Sequence, residues 1–240
     1  MLSVLRRAVL RTPILGPWVL KRRIQWQNES FRTSGEYWER RYRQGGTSGA
    51  GSYNLLAEFK AEFLNDFVAR EEVGSVVELG CGDGSQLRLA RYPRYTGIDV
   101  APSAVAMCKA IFANDKTKDF RLSGELDGSF EAELAISLDV IYHLIEDEVF
   151  EGYMRELFAR ARRFVIVYSS NYDAAWDSKH VRHRKFTDWV EQNQPEWSLI
   201  SRVPNRYPYD SENPKHTSFA DFYVFARRSD CQDRSMHGAR

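Results

Sequence analysis

Apolar residues along the chain follow two different periods. Leu55, Leu56, Phe59, Phe63, Leu64, Phe67 and Val68 recur every three or four positions and predict an amphipathic helix that covers one face of a sheet. From Ser75 the period shortens. The runs Ser75–Leu79, Tyr95–Val100, Phe120–Leu122, Leu134–Leu138 and Phe164–Tyr168 read as five strands. Helical stretches lie between them, among them Pro102–Phe112 and a stripe of Val149, Phe150, Tyr153, Met154, Leu157 and Phe158. Alternation of strand and helix implies right-handed crossovers, hence an α/β fold with a doubly wound, mostly parallel sheet. Leu199–Val203 and Phe219–Phe225 are joined without a helical period and predict an antiparallel pair at the sheet edge, which makes seven strands. Upstream, Thr33-Ser34-Gly35-Glu36 has capping-box spacing and starts a short helix bearing Tyr37, Trp38, Arg41 and Tyr42. The Gly/Ser stretch 45–52 that follows reads as a loop.

Composition narrows the class. The 240 residues are 43% hydrophobic and 28% charged, which suits one globular domain and excludes wholesale disorder. With 34 basic against 33 acidic residues, the overall charge does not suggest a nucleic-acid partner. Residues 1–23 carry six cations and no acid, so the other 217 residues sum to −5. We read residues 1–32 as a basic, apolar N-terminal arm, 33–228 as the main domain and 229–240 as a flexible tail. Arg11, Pro13, Gly16 and Pro17 interrupt the arm's apolar residues, which excludes a bilayer span. Lys-Arg-Arg after Leu20 is not a signal-peptide cleavage site. Residues 1–23 suit either contact with an anionic membrane surface or packing on protein, with Trp18 and Trp26 as anchors in the second case. Cys81, Cys108 and Cys231 are few and widely spaced, so the expected compartment is the cytoplasm, with peripheral attachment to the inner face of a membrane as the arm's contribution.

The most informative stretch is Val76-Val77-Glu78-Leu79-Gly80-Cys81-Gly82-Asp83-Gly84-Ser85, a strand running into a G-x-G-x-G turn and, by expectation, a helix. Glycines there admit positive φ and close approach of a ligand to the main chain. Tyr95-Thr96-Gly97-Ile98-Asp99 follows as a second strand ending in an acid, placed to accept hydrogen bonds from ribose hydroxyls. Ser85 breaks the dinucleotide spacing G-x-G-x-x-G, and Glu78 would repel a pyrophosphate.

These residues resemble the class I S-adenosylmethionine-dependent methyltransferases over about residues 73–170. The resemblance implies a Rossmann-like fold, S-adenosylmethionine as cofactor, Gly80, Gly82 and Gly84 as the cofactor loop, Glu78 as its leading acid and Asp99 as the ribose ligand. It also implies that Ser137–Leu144 lines the methyl-transfer site, that Glu125 lies near the adenine amine, and that Tyr42 and the Gly/Ser loop close over the methionine end. Asp139 is expected both to contact the cofactor and, with His143, to serve catalysis. His143 is either a base with a pKa near neutrality or a packed residue.

The acceptor is expected to be a small hydroxylated or glycan-type molecule methylated on oxygen. After the fourth strand, Leu138-Asp139-Val140-Ile141 replaces the Asn/Asp-Pro-Pro-aromatic tetrapeptide of enzymes that methylate amino groups of nucleic-acid bases. The cations and histidines of Lys179–Lys185 either hold an anionic acceptor or form a solvated face, and Tyr207 and Tyr209 suit sugar stacking. Asn171, and the pair His180 and His183, leave metal dependence open. The competing class is a non-catalytic cofactor-binding scaffold of the same fold. An aminopropyltransferase is disfavoured because no acidic polyamine site is evident.

Overall fold

The computed structural model describes residues 31–125 and 127–229. Residues 1–30 of the arm with Trp18 and Trp26, Cys231 and nearly all of the 229–240 tail lie outside the described residues. Helix α1 (Ser34–Arg43) begins at Thr33, whose Oγ1 accepts the Glu36 N–H at 3.2 Å, as the capping-box spacing predicts. A long helix α2 (Asn54–Arg70) precedes β1 (Val76–Leu79), β2 (Tyr95–Asp99), α3 (Pro102–Ile111), β3 (Lys118–Leu122), β4 (Ala132–Leu138), α4 (Asp147–Ala159) and β5 (Ala161–Ser169). The chain continues through the short strands β6 (Ala174–Ala175) and β7 (Arg182–His183), helix α5 (Phe186–Asn193), β8 (Trp197–Val203) and β9 (Asp221–Arg227).

Seven strands form one sheet in the order β3-β2-β1-β4-β5-β9-β8, parallel except for β9 and β8. Strand β1 pairs with β2 on one side and β4 on the other, so the winding reverses between β1 and β4. Ligand crevices open at such a switch point, beyond the carboxyl ends of the strands. One sheet face packs on α2 and α3 through Phe59, Leu64, Phe67, Val105 and Cys108. The other packs on α4 and α5 through Phe150, Met154, Leu157, Phe158, Phe186 and Val190.

Two features differ from the sequence expectation. After the glycine turn the chain makes a single 3-10 turn, Gln86–Leu89, in place of a helix. Only ten residues separate Gly84 from β2, and Pro93 near their end disfavours a helical residue before it, so there is no room for a full helix. The segment after β5 forms the antiparallel pair β6–β7, separate from the main sheet, and then α5. Among the described residues no helix is long and apolar enough to cross a membrane.

Candidate active site

The carboxyl ends of β1, β2 and β4 border a cavity of about 340 Å³ lined by Glu78, Gly80, Gly82, Asp99, Asp139 and His143 among others. With Tyr42, this places seven of the nine residues singled out in sequence around one space. Gly84 sits in the turn below the cavity at φ 74°, and a Cβ there would come within 3.0 Å of Cys108 and Phe112. Gly80 and Gly82 also have positive φ, at 87° and 58°. A Cβ on Gly80 would lie 2.5 Å from Val140, and one on Gly82 would lie 2.3 Å from Ser48 Oγ. Glu125 lies elsewhere: its exposed side chain accepts the Leu122 N–H at 2.9 Å and does not line the cavity, whereas Ser123 does.

Asp99 is buried, which pushes its carboxyl up, while the N–H groups of Ala101 and Gly82, both at 2.9 Å, hold it back. A carboxylate has about four acceptor positions, so with the Val100 N–H also bearing on it there is still room for a ribose hydroxyl. Glu78 is 4% exposed, and burial raises its pKa to about 7 even though Tyr95 donates to it at 2.5 Å. Cys81 and Cys108 are both buried, and their mutual hydrogen bond with burial keeps the Cys81 thiol well above its ordinary value. That is the behaviour of a filler between glycines, not of a nucleophile.

Helix α1 roofs the cavity. Ser34 bonds Glu146 ahead of α4 through its N–H and hydroxyl, and Glu39 accepts from the N–H and hydroxyl of Ser103 in the first turn of α3. The Gly/Ser loop folds onto the glycine turn. Ser48 N–H donates to Asp83 Oδ2 at 2.8 Å, Ser48 Oγ accepts the Asp83 N–H at 3.0 Å, and Tyr53 donates to the same carboxylate at 2.6 Å. Burial opposes ionisation of Asp83, but these bonds win and hold its carboxyl below the ordinary value. Tyr42 completes the closure with its hydroxyl 3.1 Å from Ser48 Oγ and its ring stacked on Trp38.

At the β4 end, Asp139 adopts φ 60°, a left-handed conformation uncommon outside glycine. Its Oδ1 accepts from Tyr142 at 2.7 Å and its Oδ2 from Lys60 at 2.5 Å. Lys60 escaped the sequence reading, yet a signal was there: it falls between Leu56 and Leu64 at spacings of four, on the buried stripe of α2. His143 packs edge-on against Trp38, and its Nδ1 lies 2.7 Å from the His180 carbonyl. A carbonyl only accepts, so Nδ1 carries the proton and Nε2 is an acceptor. Burial lowers the His143 pKa to about 3, despite that carbonyl, so the ring is neutral at physiological pH.

The basic segment after β5 is largely engaged. Arg184 bonds the Leu144 and Ile145 carbonyls and pairs with Asp147, Arg182 also pairs with Asp147, and Lys185 pairs with Asp188. His180 stacks between Tyr37 and His143, and burial followed by the Arg41 charge lowers its pKa to about 4. His183 Nδ1 meets Ser170 Oγ at 2.7 Å within a ring of Tyr172, Trp176 and Phe219. Asn171 bonds Thr187 at the start of α5, and Tyr207 packs on Phe59. Among the described residues no group of three His, Cys, Asp or Glu side chains is placed to hold a metal ion.

The cavity and its donors fit S-adenosylmethionine: glycines where side chains would collide, a buried acid with a spare acceptor position, and an aromatic roof. Once bound, that cofactor supplies a methyl carbon activated by a sulfonium. A family model described as a methyltransferase domain matches residues 52–210. Among solved structures, the chain is similar to the N-methyltransferase NodS of Bradyrhizobium japonicum WM9 in complex with S-adenosyl-L-homocysteine. There the TM-score is 0.61 at 13% identity, with 82% of this chain and all of that one covered. Magnesium protoporphyrin IX methyltransferase of Synechocystis PCC 6803 with bound S-adenosylmethionine gives a TM-score of 0.57 at 15% identity, covering 82% and 99% of the two chains. The methyltransferase domain of bacterial CtHen1 gives 0.56 at 19% identity, covering 72% and 99%. No curated protein sequence matches the chain significantly. With the family model spanning well over half its length, the chain belongs to the class I S-adenosylmethionine-dependent methyltransferases.

Proposed function

We propose that this methyltransferase acts on an oxygen of a small hydroxylated or glycan-type acceptor, which binds beside Asp139 and His143. The observation that carries the reading is the shared cavity: the space lined by Gly80, Gly82 and Asp99 is also lined by Lys60, Asp139 and His143, a polar cluster that the sheet does not need. Such groups orient an acceptor oxygen and exclude water from it, and positioning of this kind contributes most of the acceleration of an in-line displacement. The residues at the carboxyl end of β4, Leu138-Asp139-Val140-Ile141, support oxygen over the amino groups of bases.

The test is transfer from methyl-labelled S-adenosylmethionine by the full chain to sugars, sugar acids and phenols, run beside matched amines, with the label located by mass spectrometry. Label on oxygen is expected. Label on amines alone overturns the oxygen reading. Cofactor binding without transfer to any acceptor favours the non-catalytic scaffold instead.

His143 enters this mechanism as a neutral hydrogen-bond acceptor through Nε2. Its lowered pKa makes it a poor store for a proton at pH 7, since general-base efficiency peaks when the pKa lies near the working pH. Turnover of His143→Gln is therefore expected within about tenfold of wild type, with no new inflection between pH 5 and 8. A loss of roughly 10²- to 10⁴-fold would restore it as the base.

A further inference from the structure

Lys60 is 1% exposed and lines the cavity beside Asp139. An ammonium has three donors. Among the described residues one donor goes to Asp139 Oδ2 at 2.5 Å, and the Tyr168 ring lies 5.2 Å from the nitrogen. Buried charges normally have their hydrogen bonds met, so an ammonium at a cavity wall with two donors to spare points to a missing acceptor.

Asp139 already accepts from Lys60 on one oxygen and from Tyr142 on the other. Gly51 presses on the same carboxylate, where a Cβ would come within 2.6 Å of Oδ2. His143 is neutral, with its Nδ1 committed to His180. Glu78 is tied to Tyr95. An acceptor that arrives already ionised needs none of these groups as a base, and a buried ammonium with donors to spare suits an anion. Among the described residues that line the cavity Lys60 is the one cation, beside the acids Glu78, Asp83, Asp99, Asp139 and Glu156, so an anion entering there has Lys60 as its partner.

We propose that Lys60 binds a carboxylate of the acceptor and that an oxygen of this carboxylate is the atom methylated. The inference rests on the oxygen-transfer reading above and names its substrate class, a hydroxylated acid of the sugar-acid type. An oxygen lone pair forms the new O–CH3 bond while the S–CH3 bond breaks with its pair remaining on sulfur. The products are a neutral ester and a thioether, and no proton moves.

The test is binding to the full-length chain saturated with S-adenosylhomocysteine. Acid and amide pairs of equal shape serve as probes, glucuronate against glucuronamide and benzoate against benzamide, read by ligand-observed NMR. At least one acid is expected to bind tenfold or more tightly than its amide. Lys60→Met should reduce that preference below twofold while leaving S-adenosylhomocysteine affinity within threefold. Asp139→Asn, which removes the competing carboxylate and keeps its shape, should raise acid affinity severalfold, whereas a purely structural ion pair predicts a loss in both variants. If Lys60→Met does not fold, Asp139→Asn decides alone.

Absence of any acid preference in wild type, or its survival in Lys60→Met, overturns the proposal. So does a tenfold loss of S-adenosylhomocysteine affinity in Lys60→Met, which would give the ammonium to the cofactor. Failure of the wild-type chain to bind S-adenosylhomocysteine at all would strike the methyltransferase reading itself.

Discussion

Asp99→Ala is expected to weaken S-adenosylhomocysteine binding by about 2 to 4 kcal/mol, roughly 30- to 1,000-fold. The carboxylate stands at the end of β2, directly across from the glycine turn, and accepts from Gly82 and Ala101 there. Alanine removes both the ribose acceptor and the brace that holds the Gly82 N–H. A buried ribose hydroxyl and the Gly82 N–H left without acceptors, at about 1 to 3 kcal/mol each, account for the magnitude. Calorimetric titration of the folded variant checks it. Affinity equal to wild type would remove Asp99 from the cofactor site and with it the placement of the ribose at the β2 end.

Glu78→Gln should abolish the pH dependence that the wild-type carboxyl imposes on stability. Burial raises the folded pKa to about 7, against an unfolded carboxyl near 4.3. Between these values the native state binds more protons than the unfolded chain, so stability falls as pH rises through this window and is level on either side. The span corresponds to about 3 to 4 kcal/mol. Glutamine keeps an oxygen for the Tyr95 hydroxyl and carries no charge. The difference in unfolding free energy, variant minus wild type, should therefore grow by that amount between pH 4 and pH 8 in urea titrations. A difference that stays flat would mean that Glu78 titrates normally and that water or a cation reaches it.

The sheet and half of the site were legible because both depend on short-range pattern. The five parallel strands and the closing pair follow from apolar runs bounded by turn residues, and Gly80, Gly82 and Asp99 follow from their spacing around two strand ends. What escaped depends on contacts between distant segments. The bonds joining Ser48 to Asp83 span 35 positions, and nothing in either local sequence announces them. Lys60 was readable in principle as a cation on an apolar stripe, but its partner Asp139 lies 79 positions away. The β6–β7 pair, two residues to a strand, is too short for any periodicity, and aromatic contacts to His183 and arginine bonds to carbonyls give it its place. His143 shows the limit most plainly. Its position at the carboxyl end of β4 suggested a base, while its burial beneath Trp38, set by a helix a hundred residues earlier, decides its protonation.

The left-handed backbone at Asp139 has a consequence for anyone who would alter acceptor choice. Only glycine, asparagine and aspartate enter that conformation readily, and β-branched or bulky residues do so at a cost of about 1 to 3 kcal/mol. The position is free to vary in charge but hardly in shape. Libraries that enlarge or narrow the acceptor end therefore belong at its neighbours Val140 and His143, where the main chain imposes no such restriction on the choice of side chain.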